Sequence, residues 1–311
     1  GLIESVGVDL PRINYENGCG NWLLEQQSQN LIDYSEDFSQ NYFAFTSASV
    51  SSSTITDPTG NQNSFKLIPD NGTGGNRSIG RSFINLTGLH TFTCFAKKAE
   101  YNYLTLRTRN GPNTAVMFNL DNGTFNVNST SAAFVSAEID DYGNGWYICS
   151  VTLDPSQMTN VGQLFVSLSV GIIGDETNSF SGDGVSGVYI FGMQLEEQPF
   201  ATSYIPTSGS AVTRSQDTAF KSGLSSYISS TAGVLYAEFA ALSNEPYVYY
   251  KVMSLGNGIN NSSTIILGFT STNAIYANVG GTFITSVLPA DVTTFHKVAI
   301  KYEDNNSKLF V

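Results

Sequence analysis

Short runs in which apolar and polar residues alternate recur along most of the chain, and Gly, Asn, Asp or Pro closes nearly every run. In residues 91–97 (TFTCFAK), Phe92, Cys94 and Ala96 fall on one face. Residues 103–109 place Leu104 and Leu106 on one side and Tyr103, Thr105, Arg107 and Arg109 on the other. In GWYICSVTL (145–153), Tyr147, Cys149, Val151 and Leu153 share a face, and AVMFNL (115–120) is turned by Asp121-Asn122-Gly123. A period of two over a few residues is the pattern of a half-buried strand, and no stretch sustains the 3.6-residue period of a helix. Many short strands at regular spacing predict an all-β antiparallel sandwich.

The pattern also divides the chain. Residues 1–30 have no sustained period and combine turn residues with single apolar anchors (Leu10, Ile13, Trp22, Leu23, Leu24), which predicts an extended arm packed on a neighbouring surface. Residues 31–200 hold the first set of strands, ending in VYIFGMQL (188–195). A Pro-, Ser- and Thr-rich exit at 201–217 reads as a linker. Beyond it the strand pattern restarts, and HKVAIKY (296–302) turns Val298, Ile300 and Tyr302 inward and Lys297, Ala299 and Lys301 outward. At a sheet edge those lysines would discourage pairing with other chains. Residues 218–311 are therefore expected to form a second sandwich, one that stops as a new strand begins and belongs to a longer protein.

Composition and charge narrow the partners. Only 13% of residues are charged, and the formal net charge of -12 repels a phosphate backbone or an anionic membrane surface. Nucleic acid is thus not expected as a partner, and without an apolar run of about 18 residues neither is membrane insertion by a helix. Cys19, Cys94 and Cys149 are too scattered for a disulfide framework or zinc site, and two of them lie in apolar strand patterns as buried thiols.

Three segments in order resemble a known module. LPRINYENGCGNWLLEQQSQNLIDYSEDFS (10–39), DYGNGWYICSVTL (141–153) and YIFGMQLEEQPFATSYIPTSGSAVTRSQD (189–217) are similar to motifs of bacteriophage tail-fibre and head-fibre proteins and related bacterial surface proteins. Phe191 stands where that family has Trp, Ile148 where it has Arg, and Ser28 where Arg is usual. The resemblance implies a jelly roll like those of carbohydrate-binding modules. FHKVAIKYEDNNSKLFV (295–311) resembles laminin-G and concanavalin-like domains, implying a second sandwich of that kind.

Chemistry is sparse. A glycosidase on such a sandwich needs two carboxylates facing each other across a sugar, roughly 5–9 Å apart. The nearest cluster, Glu138-Ile139-Asp140-Asp141, runs into the Gly143-Asn144-Gly145 turn, and Glu196 and Glu197 are neighbours that a strand points to opposite faces. His90 and His296 offer one base per domain, with no GxSxG or Cys-centred motif. No catalytic activity is expected.

Sugar recognition needs flat aromatic faces together with planar polar groups. Tyr101, Tyr103, Arg107 and Arg109 stand at alternate positions and so would share one strand face, which either lines a sugar groove or packs against a sibling chain. Trp146 and Gln194 complete the candidate set, although Trp146, after a tight turn, also suits a core. The loop 174–184 supplies Asp175, Glu176 and Asp183, oxygen donors that would suit a structural calcium or simply a solvated loop. The expected protein is a non-enzymatic virion fibre, spike or surface-decoration subunit. It would bind host-surface glycan and other virion proteins, as a homotrimer. The alternative is an accessory carbohydrate-binding part of a polysaccharide-degrading enzyme, secreted or at the bacterial cell surface.

Overall fold

A computed structural model describes the chain at all residues except 1–2, 8–9, 17–18, 84–85, 110–113, 130–131, 158–161, 172–179, 245–249, 257–263, 286–290 and 305, with the backbone alone at 16, 73, 74, 109, 129, 162, 250, 251 and 285. Among the described residues the only helical piece is a 3-10 turn at Pro155–Gln157. The chain divides into two units, Gly1–Thr218 and Ala219–Val311.

The first unit is an antiparallel sandwich of two six-stranded sheets. One sheet runs, side by side, Thr124–Ser129, Thr114–Asn119, Tyr103–Arg109, Gly162–Ser169, Ser78–Phe83 and Ala44–Thr46. The other runs Phe134–Gly143, Trp146–Leu153, His90–Lys98, Val188–Glu196, Phe65–Pro69 and Ala48–Ser52. The chain passes back and forth between them, the jelly-roll arrangement. Between the sheets the alternating apolar positions meet: Leu104, Leu106 and Phe118 from the first, Phe92, Cys94 and Cys149 from the second, each at most 2% exposed. Each such large apolar side chain stabilises the fold by about 1.5–3 kcal/mol relative to leaving it in water.

One strand departs from strict alternation for a reason. Along Val188–Glu196 the pairing shifts between Phe191 and Gln194, a bulge occupied by Gly192 at φ +58°. The irregularity keeps Ile190, Met193 and Leu195 in the core while Phe191 and Gln194 face outward. Outward here is not solvent. Phe95, Trp146 and Phe191 form a small second core on that face, with Ile3, Ile55 and Tyr204 packed against it.

The expected arm and linker both belong to the first unit. Ile13–Glu16 pairs with Cys19–Trp22 as a hairpin, and Ser28–Asn30 pairs with Val212–Arg214. Backbone groups in short polar segments are satisfied here by a partner far along the chain, which local pattern does not reveal. Ile205 and Thr207, inside the expected linker, are 3% and 6% exposed.

The second unit has a three-stranded sheet, Ala232–Phe239, His296–Glu303 and Lys308–Phe310, and a four-stranded one, Tyr250–Gly256, Thr264–Phe269, Ile275–Val279 and Thr282–Thr285. Val298, Ile300 and Tyr302 are buried as the alternation predicts. Their strand is central in its sheet, however, so its lysines do not guard an edge. The five lysines after Thr218 are matched by five acidic residues, so the chain's net charge of -12 resides in the first unit.

Candidate functional site

The outward face of the first sheet is largely polar. Strand register places Thr124, Asn119, Tyr103 and Ser169 in one row, and Asn126, Met117, Thr105 and Ser167 in the next. Ser78 continues that second row, and further along lie Arg107 and Phe165, then Gln163 and Ser82. None of the described outward positions on these strands is Asp or Glu, in a unit that holds most of the chain's acids.

The centre of this face is closed. Thr105 and Arg107, on the face expected to line a sugar groove or pack against a sibling chain, are 8% and 6% exposed. Arg107 Nε donates to Ser167 Oγ at 2.7 Å, its Nη2 reaches Ser78 Oγ at 3.4 Å, and its guanidinium lies 5.1 Å from the Phe165 ring centroid. Arg107 is thus a cross-strand brace. Alternation gives the side on which a residue lies but not what surrounds it there.

The accessible part is the rim. Tyr103 is half-buried, its ring against Gly171, while Asn119 is half-buried and Thr124 and Asn126 are exposed beside it. The resulting rim is one aromatic ring flanked by two amides and a hydroxyl. Asn119, Thr124 and Asn126 escape a reading of single strands because they join Tyr103 only through strand register. The alternation of TFNVNS (124–129) is the signal that could have found Thr124 and Asn126.

The other expected site residues are placed elsewhere. Tyr101 precedes the strand and packs toward the core, its ring centroid 5.4 Å from that of Phe180, so it does not share the face of Tyr103. Trp146 is 2% exposed and donates its Nε1–H to the Thr56 carbonyl at 2.9 Å. Gln194 is 1% exposed, donating to Glu196 and accepting from the Ile205 amide. Both are internal supports, because the outer face of their sheet is covered. The Arg109 side chain and the residues Asp175 and Glu176 lie outside the described set. Asp183 is fully exposed, and hydrogen bonds from the Ser186 hydroxyl and the Val185 and Ser186 amides lower its carboxyl to about 2. It closes its own turn. Among the described residues, no group of three or more His, Cys, Asp or Glu could hold a metal ion.

Of the carboxylates of the sequence motifs, Glu196 is held by structural partners. Glu196 is fully buried, while Glu197 is exposed. Burial pushes the Glu196 carboxyl up, against hydrogen bonds from the Ser28 and Thr202 hydroxyls, the Thr202 amide and Gln194. Glu138, Asp140 and Asp141 lie exposed on the edge strand Phe134–Gly143.

The motif residues of 10–39 and 189–217 converge into one joint. Arg12 binds Glu25 at 2.6 Å and also Asp217, and Arg214 reaches Glu25 at 3.2 Å. Asn30 Nδ2 donates to the Met193 and Ile205 carbonyls at 3.2 and 2.9 Å, and the Tyr204 hydroxyl donates to Ser35 at 2.7 Å. Phe191 is fully buried against Phe95 and Tyr204 rather than offered to a ligand. No protein-family model and no curated protein matches the chain.

Proposed function

We propose that the chain is a non-enzymatic surface-display protein of a virion, a fibre, spike or decoration subunit, whose first unit binds host-surface glycan at the Tyr103 rim. The observation that carries this reading is the rim itself: an aromatic ring with the Asn119 amide opposite it on the adjacent strand and the Asn126 amide one strand further and one row along, on a face without described carboxylates. An aromatic ring covers the C–H side of a sugar, and planar amides satisfy adjacent hydroxyls as donor and acceptor. The resemblance of residues 10–39, 141–153 and 189–217 to phage fibre proteins supports the setting, and the homotrimeric assembly belongs to that same reading.

A glycan array with the full chain tests it. Binding of a discrete set of glycans is expected, with at least about a tenfold loss, near 1.4 kcal/mol, in Tyr103→Ala and in Asn126→Ala at unchanged thermal stability. Absence of binding by the unaltered chain, or full binding by Tyr103→Ala, would overturn it.

A further inference from the structure

The second unit carries another surface with the dimensions of a ligand site. Its three-stranded sheet buries one face and turns the other outward. On the outward face, strand register aligns Tyr236, Ala299 and Phe310 in one row across all three strands. Val234, Lys301 and Lys308 form the row on one side, and Glu238 and Lys297 lie on the other. Tyr236 and Phe310 are each 55% exposed.

Adjacent strands are about 4.8 Å apart, so the two aromatic side chains rise about 10 Å apart on either side of the alanine methyl. Carbon atoms in contact sit about 3.5–4.0 Å apart, so a flat ring between two walls needs about 7–8 Å, and a puckered pyranose somewhat more. Strand spacing therefore leaves about the width of one sugar ring between the two aromatic positions, a trough with Ala299 at its base.

Charge selects among ring ligands. Lys297, Lys301 and Lys308 border the trough, against Glu238 and Glu303. Lys301 pairs with Glu303 at 2.7 Å, with both side chains well exposed. Such a surface pair has little net strength and exchanges readily for a ligand carboxylate. The trough is thus a cationic, aromatic strip on a neutral unit of an otherwise acidic chain. Among its described residues it has no Asn or Gln to direct neutral hydroxyls, so the charge must come from the ligand.

We propose that this trough binds an anionic saccharide of the uronic-acid class, its ring between Tyr236 and Phe310 and its carboxylate on Lys301 and Lys308. The proposal is independent of the Tyr103 rim.

Calorimetric titration of the full chain with oligogalacturonate, and with a neutral galacto-oligosaccharide of the same length, tests it. Oligogalacturonate is expected to bind, more weakly at high salt, with at least about a tenfold loss in Tyr236→Ser and in Phe310→Ser. Lys301→Gln combined with Lys308→Gln is expected to abolish the preference over the neutral oligomer. These positions are exposed, so an unchanged melting temperature verifies the fold of each variant. Equal binding of the neutral oligomer, or no binding of either, overturns the proposal. So does self-association, seen by light scattering, that Tyr236→Ser removes while no saccharide binds, a result that assigns the trough to a second copy.

Discussion

The guanidinium of Arg12 is ion-paired with the carboxylate of Asp217, 205 positions further along the chain. The same guanidinium holds Glu25, which is almost fully buried, and donates to Ser203 Oγ at 3.0 Å. Arg214 adds a second cation beside Glu25. Two arginines and two acids thus join the beginning of the first unit to its end.

Removing Arg12 leaves Glu25 and Asp217 with Arg214 as their remaining cation. Hydrogen bonds between charged groups contribute about 1.5–3 kcal/mol each, less where water competes, and the Arg12 side chain is 18% exposed. Arg12→Ala is expected to destabilise the first unit by about 2 kcal/mol, read as a lower urea midpoint at unchanged m-value.

Acid should open the same joint. Burial opposes ionisation of Asp217, but hydrogen bonds from Arg12 and the Glu25 amide, with the charges of Arg12 and Arg214, hold its carboxyl below the ordinary value. A folded-state pKa below the unfolded one gives stability that is present above the unfolded pKa and lost as pH falls through the folded one. Thermal melts of the unaltered chain should therefore fall more steeply than those of Asp217→Asn as pH drops below about 4. Parallel curves would show that Asp217 is not linked to folding.

How much of this is legible in the sequence follows from where each partner lies. The sandwich is readable because Leu104, Leu106, Cys149 and Val151 declare their buried side within their own strands. The role of residues 1–30 is not, because Ser28–Asn30 pairs with Val212–Arg214 and short polar stretches do not name distant partners. The candidate site divides in the same way. Alternation finds Tyr103, whereas the brace formed by Arg107, the internal positions of Trp146 and Gln194, and the contribution of Asn126 all depend on neighbouring segments.

Thiol chemistry gives a test of the core. Cys94 and Cys149 face each other across adjacent strands, fully buried, and burial pushes the Cys94 thiol up to about 12. Cys19 is exposed. Because the thiolate is the reactive form, a chromogenic disulfide reagent should titrate one thiol in the folded chain and three after denaturation. Rapid reaction of all the thiols under native conditions would contradict the buried pair.

The bulge at Gly192 should be intolerant of a side chain. A Cβ there would lie 2.9 Å from Phe95 Cδ2 and 3.1 Å from Tyr204 Cε2, at a φ of +58°. Left-handed backbone and contact strain together predict that Gly192→Ala costs about 2–3 kcal/mol, visible as a lower melting temperature. Gly223, also at positive φ but with nothing within 4 Å of an added Cβ, is the control that isolates the backbone share.

Pairing Ser28 directly opposite Arg214 has a mechanical consequence. Arg12 and Asp217 meet at the same place, so tension carried between those two residues does not cross the two six-stranded sheets. Once Ile3 has left the cluster of Phe95, Trp146 and Phe191, such a load peels the strand pair one rung at a time, the Arg12 ion pairs before the backbone pairs. The jelly roll then hangs beside the line of force, and whatever it holds on its outer face stays undistorted while the chain is pulled.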